Sequence, residues 1–171
     1  MPRLRLRIAI SLDGYAAGPH QSRDHPLGEG GMRLHEWVFP LRAWRATHGL
    51  EGGDENESGR VLEAATAGVG ATIMGRHMFG PVRGPWDAGA PWDGWWGETP
   101  PFGHPVFVLT HHARAPLALD GTTFHFVTGG ADEALARARE AAGGRDVALA
   151  GGAATARQYL AAGLVDDMLL H

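Results

Sequence analysis

The sequence contains no cysteine and no lysine, and each absence excludes a class of chemistry. Without cysteine the chain can form neither a disulfide nor a thiolate zinc site, and this composition fits a cytoplasmic protein. Without lysine it can form no Schiff base with a carbonyl substrate. All 15 cationic side chains are arginines, so a single arginine is weak evidence of function.

Long apolar runs and basic clusters are also missing. No segment approaches the roughly 20 consecutive apolar residues that a membrane-spanning helix needs. The early arginines of MPRLRLRIAISLDG alternate with apolar residues, which argues against a secretory signal. The net charge is −4, whereas binding to nucleic acid needs a concentrated positive face. We therefore expect a small-molecule substrate, with neither nucleic acid nor membrane as a partner.

Strand-like and helix-like segments alternate along the chain. Alternation of apolar residues with arginines at the N-terminus predicts a first strand. Further strands are predicted over 71–74, 106–109, 122–127, 146–150 and 167–171, with helices over 131–142 and from Ala153 onward. This order predicts one α/β domain over residues 1–171, a three-layer α/β/α arrangement with a mostly parallel central sheet.

Two segments predict less regular structure. Apolar residues from Leu34 to Trp44 recur at helical spacing, but Pro40 interrupts the pattern, so we expect a break or two short helices. Ser58 is expected to cap the next helix. The loop over 80–104 holds four of the six tryptophans, which form either a lid that stacks on a flat substrate or a hydrophobic interface patch.

Small and polar residues follow five of the predicted strands. They are Asp13-Gly14, Gly75-Arg76-His77, Thr110-His111, Thr128-Gly129 and Gly151-Gly152. Ligands of open α/β sheets collect at the carboxyl ends of strands, and a glycine turn before a helix exposes amides to phosphate. Tight strand-to-helix turns also favour glycine without any ligand. The coincidence of five such ends predicts a site for a phosphate-bearing cofactor.

Four side chains at or near these ends each have a functional and a structural interpretation. Arg76 can bind a phosphate bidentately or lie at the surface. Thr110 can offer a hydroxyl to a ligand or close a local turn. Asp13 is the candidate buried carboxylate that donates a proton or orients the substrate, or it belongs to an Asx turn. Glu36 is a second candidate carboxylate, or it lies on a solvated helix face.

The ten histidines do not form a metal-binding pattern. No H-E-x-x-H or H-x-E motif occurs, and His111 and His112 are adjacent on an extended segment, so they point to opposite sides. We expect no metal site.

Four motifs carry a resemblance to a known family. They are IAISLDGYAAG at 8–18, ATIMGRHMF at 71–79, HPVFVLTHH at 104–112 and DVALAGGAATARQYLAAGLVDDMLLH at 146–171. Together they resemble the dihydrofolate reductase superfamily, in the branch of the C-terminal reductase domain of bacterial riboflavin biosynthesis. The resemblance implies a homodimeric NADPH-dependent reductase with an eight-stranded sheet. Its substrate would be a pteridine- or pyrimidine-like heterocycle.

The resemblance also assigns roles to residues. Gly75, Arg76 and His77 would hold the adenosine phosphates, with Thr110 beside the 2′-phosphate. The pyrophosphate would lie on Gly151, Gly152, Ala153 and Ala154. The nicotinamide and substrate end would be lined by Ser11, Asp13 and Gly14.

The chain departs from the family pattern in several places. Met78 replaces a cofactor-binding threonine that many members carry, and the tryptophan–proline segment that positions folate is missing between Ala17 and Leu34. The helix-borne catalytic carboxylate of the family cannot be matched to a residue of this chain. Glu36 is only close in sequence to where it is expected. The last strands of the family are expected to be absent after His171. A non-catalytic nucleotide- or flavin-binding protein is therefore the alternative.

Overall fold

The structure, a computed structural model, describes residues 2–81, 83–89 and 91–171. These residues form two compact units. The first comprises residues 2–8 and 68–169, and the second comprises Ala9–Ala67 and Leu170–His171. Each unit has a hydrophobic cluster of its own. A domain is defined by independent folding, which this division does not measure. The assignment of residues 1–171 to one domain therefore stays a prediction.

Among the described residues, seven strands form one sheet. They are β1 (Leu4–Ile8), β2 (Val69–Gly75), β3 (Val106–Leu109), β4 (Leu117–Leu119), β5 (Thr122–Val127), β6 (Asp146–Gly151) and β7 (Asp167–Leu170). Their order in the sheet is β4-β5-β3-β2-β6-β1-β7. The pairs β1–β6, β2–β6, β2–β3 and β3–β5 are parallel, and β4–β5 is antiparallel, which confirms the mostly parallel α/β fold. Sequence patterning missed β4, since three residues are too few to show a period, and the resemblance implied eight strands.

The helices are α1 (Arg42–Thr47), α2 (Glu57–Thr66), α3 (Arg76–Phe79), α4 (Gly130–Ala142) and α5 (Ala153–Ala161). The structure corrects the predicted cap of α2. Asn56, not Ser58, caps α2, because the Asn56 side chain accepts a hydrogen bond from the Gly59 amide at 3.0 Å. The break expected at Pro40 is confirmed, because a 3-10 helix over Gly31–Leu34 is separated by turns from α1. In the described part of the chain, no helix is long and apolar enough to cross a membrane.

In the first unit, the two faces of the sheet are covered differently. Ile73 points to a cluster that contains side chains of α4 and α5, including the fully buried Tyr159. The neighbouring Met74 points to the opposite cluster, where Trp86, Trp92 and Trp96 pack against the buried side chains. Alternate burial of this kind is expected for a strand buried on both faces. The tryptophan rings are half-buried against this cluster, and both the lid and the interface-patch interpretations stay predictions.

Candidate functional site

Carboxyl ends of neighbouring parallel strands meet at one edge of the sheet. Gly75 ends β2 and pairs with Leu109, which ends β3. On the other side of β2, Met74 pairs with Gly151, which ends β6. The predicted cofactor residues that follow β2, β3 and β6, Thr110 among them, are therefore brought together along this edge.

The three glycines of this edge are present for different reasons. A Cβ on Gly75 would lie 2.2 Å from Thr155 Oγ1, so close packing requires a glycine there. Gly151 has a φ of +110°, a backbone conformation that side chains disfavour. Gly152 has a φ of −70°, and a Cβ there would meet no atom within 4 Å. Neither its φ nor its surroundings require glycine at 152, and bare backbone facing open space suits the close approach of a ligand. The Gly151–Gly152 peptide bond is cis.

The turn opens directly into the first turn of α5. The Gly152 carbonyl accepts hydrogen bonds from the amides of Thr155 and Ala156, each at 3.0 Å. Ala153 and Ala154 are the first two residues of α5, so no preceding helical turn offers a carbonyl to their backbone amides, and both residues are exposed. Free amides at the positive end of a nine-residue helix favour an anion.

Arg76 follows Gly75 at the start of α3 and has an unusual environment. Its Nε, Nη1 and Nη2 atoms are all buried, and none has a hydrogen-bond partner in the described chain. Burial, and secondarily the charge of Arg114, lower the pKa of Arg76 to about 10, so the guanidinium stays charged at neutral pH. Five N–H donors without an acceptor are costly in a buried position. This donor set fits an anionic group, as the phosphate assignment requires.

His77 and Thr110 are less available to a ligand. Burial, together with the charges of Arg83 and Arg76, lowers the pKa of His77, so its imidazole is neutral at neutral pH. The Thr110 hydroxyl accepts a hydrogen bond from the His112 amide at 3.2 Å, which confirms the local-turn interpretation. The roles of both residues beside a phosphate stay predictions. Among the described residues, no group of three or more histidine or acidic side chains is arranged to hold a metal ion.

The second unit contains an open pocket of about 480 Å³. Its lining includes two carboxylates, Glu29 and Glu36, and one guanidinium, Arg33. Ser11 and Tyr15 add polar and aromatic surface. The sequence pointed only to Ser11 and Glu36. Glu29 lies in the Gly/Pro-rich segment 16–31, and the length of that segment was a signal for it, since long loops in compact proteins are usually functional or mobile. Tyr15 and Arg33 flank this segment, and no sequence pattern pointed to them.

The two predicted carboxylates occupy different settings. Asp13 is exposed and does not line the pocket, so the expectation of a buried carboxylate is wrong. The reason is a tight turn in which the Gly14 amide donates to the Ser11 carbonyl and the Ser11 hydroxyl donates to Asp13 Oδ1 at 2.6 Å. Gly14 enables the turn with a φ of +88°. Glu36 is exposed as well but lines the pocket, and it lies in the turns after the 3-10 helix rather than on a helix. Catalytic roles for both stay predictions.

These features are those of a dihydrofolate reductase-like α/β protein. The chain belongs to the RibD C-terminal domain family, whose match spans residues 2–171. Domains of this family are typically reductases, which implies a nucleotide cofactor. A solved structure from Shewanella sp. PV-4, of a protein named for riboflavin biosynthesis, is 22% identical, with a TM-score of 0.55. It is similar over 98% of this chain and 75% of that one, and this likeness supports the fold. No curated protein matches the chain.

Proposed function

We propose that this protein is an NADPH-dependent reductase that passes a hydride to a small conjugated heterocycle of the pteridine or pyrimidine type. One observation carries the proposal. A buried guanidinium without an acceptor follows β2, and an open glycine turn follows β6, at the same edge of the sheet. Both features suit the phosphates of a dinucleotide.

The residues of this edge would bind and orient the cofactor. In the proposal, the backbone of Gly151 and Gly152 and the amides of Ala153 and Ala154 hold the pyrophosphate. Arg76 binds an adenosine phosphate, and Gly75 brings β2 close to α5. Bound NADPH would supply the hydride, so the contribution of the protein is orientation and electrostatics.

For the substrate, we propose the pocket of the second unit. Glu36 and Arg33 offer an acceptor and donors to the polar edges of a heterocycle. Glu36 is the carboxylate that we propose to orient the heterocycle or supply a proton. We propose that Ser11, Asp13 and Gly14 line the nicotinamide end. The Asp13 carboxylate is exposed and already accepts a hydrogen bond from the Ser11 hydroxyl, so we assign the substrate role to Glu36 instead.

Calorimetric titration with NADPH and NADH tests the cofactor assignment. We expect the wild-type protein to prefer NADPH and Arg76→Ala to lose that preference, because the guanidinium pairs with the extra phosphate. Arg139→Ala, which removes an exposed arginine of α4, is the matched control and should keep the preference. A preference that survives in Arg76→Ala would remove Arg76 from this role. A flavin absorption band in the purified protein would support the flavin-binding alternative.

We also propose a cytoplasmic homodimer. The edge strand β7 carries Met168 and Leu170, which are 50% and 48% exposed. Exposed apolar edge strands invite pairing with another chain. Light scattering coupled to gel filtration tests the proposal, and a monomer at working concentrations would contradict it.

A further inference from the structure

Trp86 covers the guanidinium that the proposed function assigns to a phosphate. The centre of its indole lies 3.1 Å from Arg76 Cζ, so the ring lies directly over the cation. The three guanidinium nitrogens of Arg76 are out of contact with solvent. An anion therefore cannot reach Arg76 in this arrangement.

The indole satisfies Arg76 only in part. A cation over an aromatic face gains a modest electrostatic attraction. The ring accepts none of the directional hydrogen bonds that the guanidinium N–H groups can donate, and the described chain supplies no other acceptor. A phosphate oxygen would satisfy these donors and neutralise the charge at the same time. In the covered state, the Arg76 guanidinium therefore keeps unsatisfied hydrogen-bond donors that an anion can bind.

A second arginine beside the same ring shows the contrast. Arg114 Cζ lies 5.0 Å from the Trp86 ring, but its guanidinium donates to Asp93 Oδ1 at 2.7 Å and to the Trp92 carbonyl at 2.5 Å. Arg114 is thus already neutralised by a carboxylate. Arg76 is the guanidinium beside this ring that lacks both a carboxylate and a hydrogen-bond acceptor.

We propose that Trp86 is an exchangeable cover, which an anionic ligand group must displace before it can bind Arg76. The proposal rests on the proposed function and adds that Trp86 sets the affinity for phosphate-bearing ligands. The indole N–H donates a hydrogen bond to the His112 carbonyl at 2.7 Å. The ring also makes edge-to-face contacts with Phe126 and Phe79, at 4.9 Å and 5.9 Å between ring centroids.

The test compares Trp86→Leu with the wild type by calorimetric titration with inorganic pyrophosphate, which has no ring that could stack. Leucine keeps an apolar side chain but cannot cover a cation with an aromatic face. We expect Trp86→Leu to bind pyrophosphate about tenfold more tightly, which corresponds to about 1.4 kcal/mol. The gain should vanish when Arg76→Ala is added. Trp95→Leu is the matched control, since Trp95 is a half-buried tryptophan of the same loop that makes an edge-to-face contact with Trp92.

Thermal unfolding midpoints establish that each variant folds. If Trp86→Leu does not fold, Trp86→Phe replaces it, because phenylalanine keeps a ring but loses the hydrogen bond to His112. Trp86→Phe should still bind pyrophosphate several-fold more tightly than the wild type. Equal affinities of the wild type and the Trp86 variant for pyrophosphate would overturn the proposal that Trp86 is an exchangeable cover.

A parallel titration with NADP⁺ separates the two proposals. Binding of NADP⁺ with no effect of Trp86 on either ligand would leave the reductase proposal standing and overturn the cover. Absence of NADP⁺ binding in every variant would contradict the reductase proposal. In that case a gain in pyrophosphate affinity that depends on Arg76 would still support a covered anion site.

Discussion

Replacement of Gly75 by alanine tests the distinction between packing glycines and ligand glycines. The new Cβ would lie 2.2 Å from Thr155 Oγ1, about 1 Å short of an ordinary contact. Thr155 is 7% exposed and belongs to α5, so it has little room to withdraw. The β-branched side chain of Thr155 is restricted at χ1, and one of its two other staggered rotamers would put the methyl group in place of the hydroxyl.

Overpacking of this kind costs about 1–3 kcal/mol of unfolding free energy. Removal of a glycine also restricts the unfolded chain, which returns about 0.4–1 kcal/mol where the native backbone suits alanine. We therefore expect Gly75→Ala to destabilise the protein by about 1–2 kcal/mol. In a Thr155→Ala background the obstructing oxygen is gone, and the Cβ of residue 155 lies at 3.4 Å, a distance that small shifts accommodate. There the cost of Gly75→Ala should fall below about 0.5 kcal/mol.

Urea denaturation of the wild type, the two single variants and the double variant completes this cycle. The slope of unfolding free energy against urea should be the same in all four proteins, so that the midpoints report stability. If Gly75→Ala costs the same in both backgrounds, Thr155 is not the obstacle. If it costs nothing in either, packing does not explain the glycine.

Two further predictions concern Gly152 and Asp146. Gly152→Ala should change the unfolding free energy by less than about 1 kcal/mol, as at an ordinary helix cap, yet weaken NADPH binding at least tenfold in calorimetry, because the methyl group would fill the open space above the turn. Gly89→Ala, at an exposed loop glycine, is its control, and unchanged NADPH affinity in Gly152→Ala would contradict the pyrophosphate assignment. The pKa of Asp146 is lowered, first by the hydrogen bond from the Arg3 amide and then by the nearby arginine charges. Its carboxylate therefore stabilises the fold above an unfolded pKa of about 3.9, and that contribution is lost as pH falls through the folded pKa. Asp146→Asn should cost about 1 kcal/mol at neutral pH and progressively less in acid, and a cost independent of pH would refute this account.

Regular structure was predictable where one physical signal dominated. The apolar run that forms β3 has the predicted bounds, since burial on both faces leaves no alternative pattern. The strand β5, whose side chains alternate in burial, also has the predicted bounds. The strand–glycine–helix joint at Gly151 and Gly152 was also predictable, because the glycines mark the turn and the segment that begins at Ala153 is rich in residues that favour a helix.

The misses arose where several local signals competed. Ser58 and Asn56 are both good caps, and only the three-dimensional course of the chain decides that Asn56 accepts the bond. Asp13 precedes a glycine, and the turn that Gly14 permits turns its carboxylate outward. The position of Trp86 over Arg76 depends on a loop without periodicity, so no local pattern could predict it.

The central claim is that the edge formed by β2, β6 and α5 binds NADPH. Isothermal titration of the wild-type protein with NADPH tests it most directly. The account predicts saturable one-to-one binding per chain in the micromolar range or tighter. The absence of heat and of any shift in unfolding temperature at high micromolar NADPH would contradict it, since a ligand that binds only the folded state raises the unfolding midpoint.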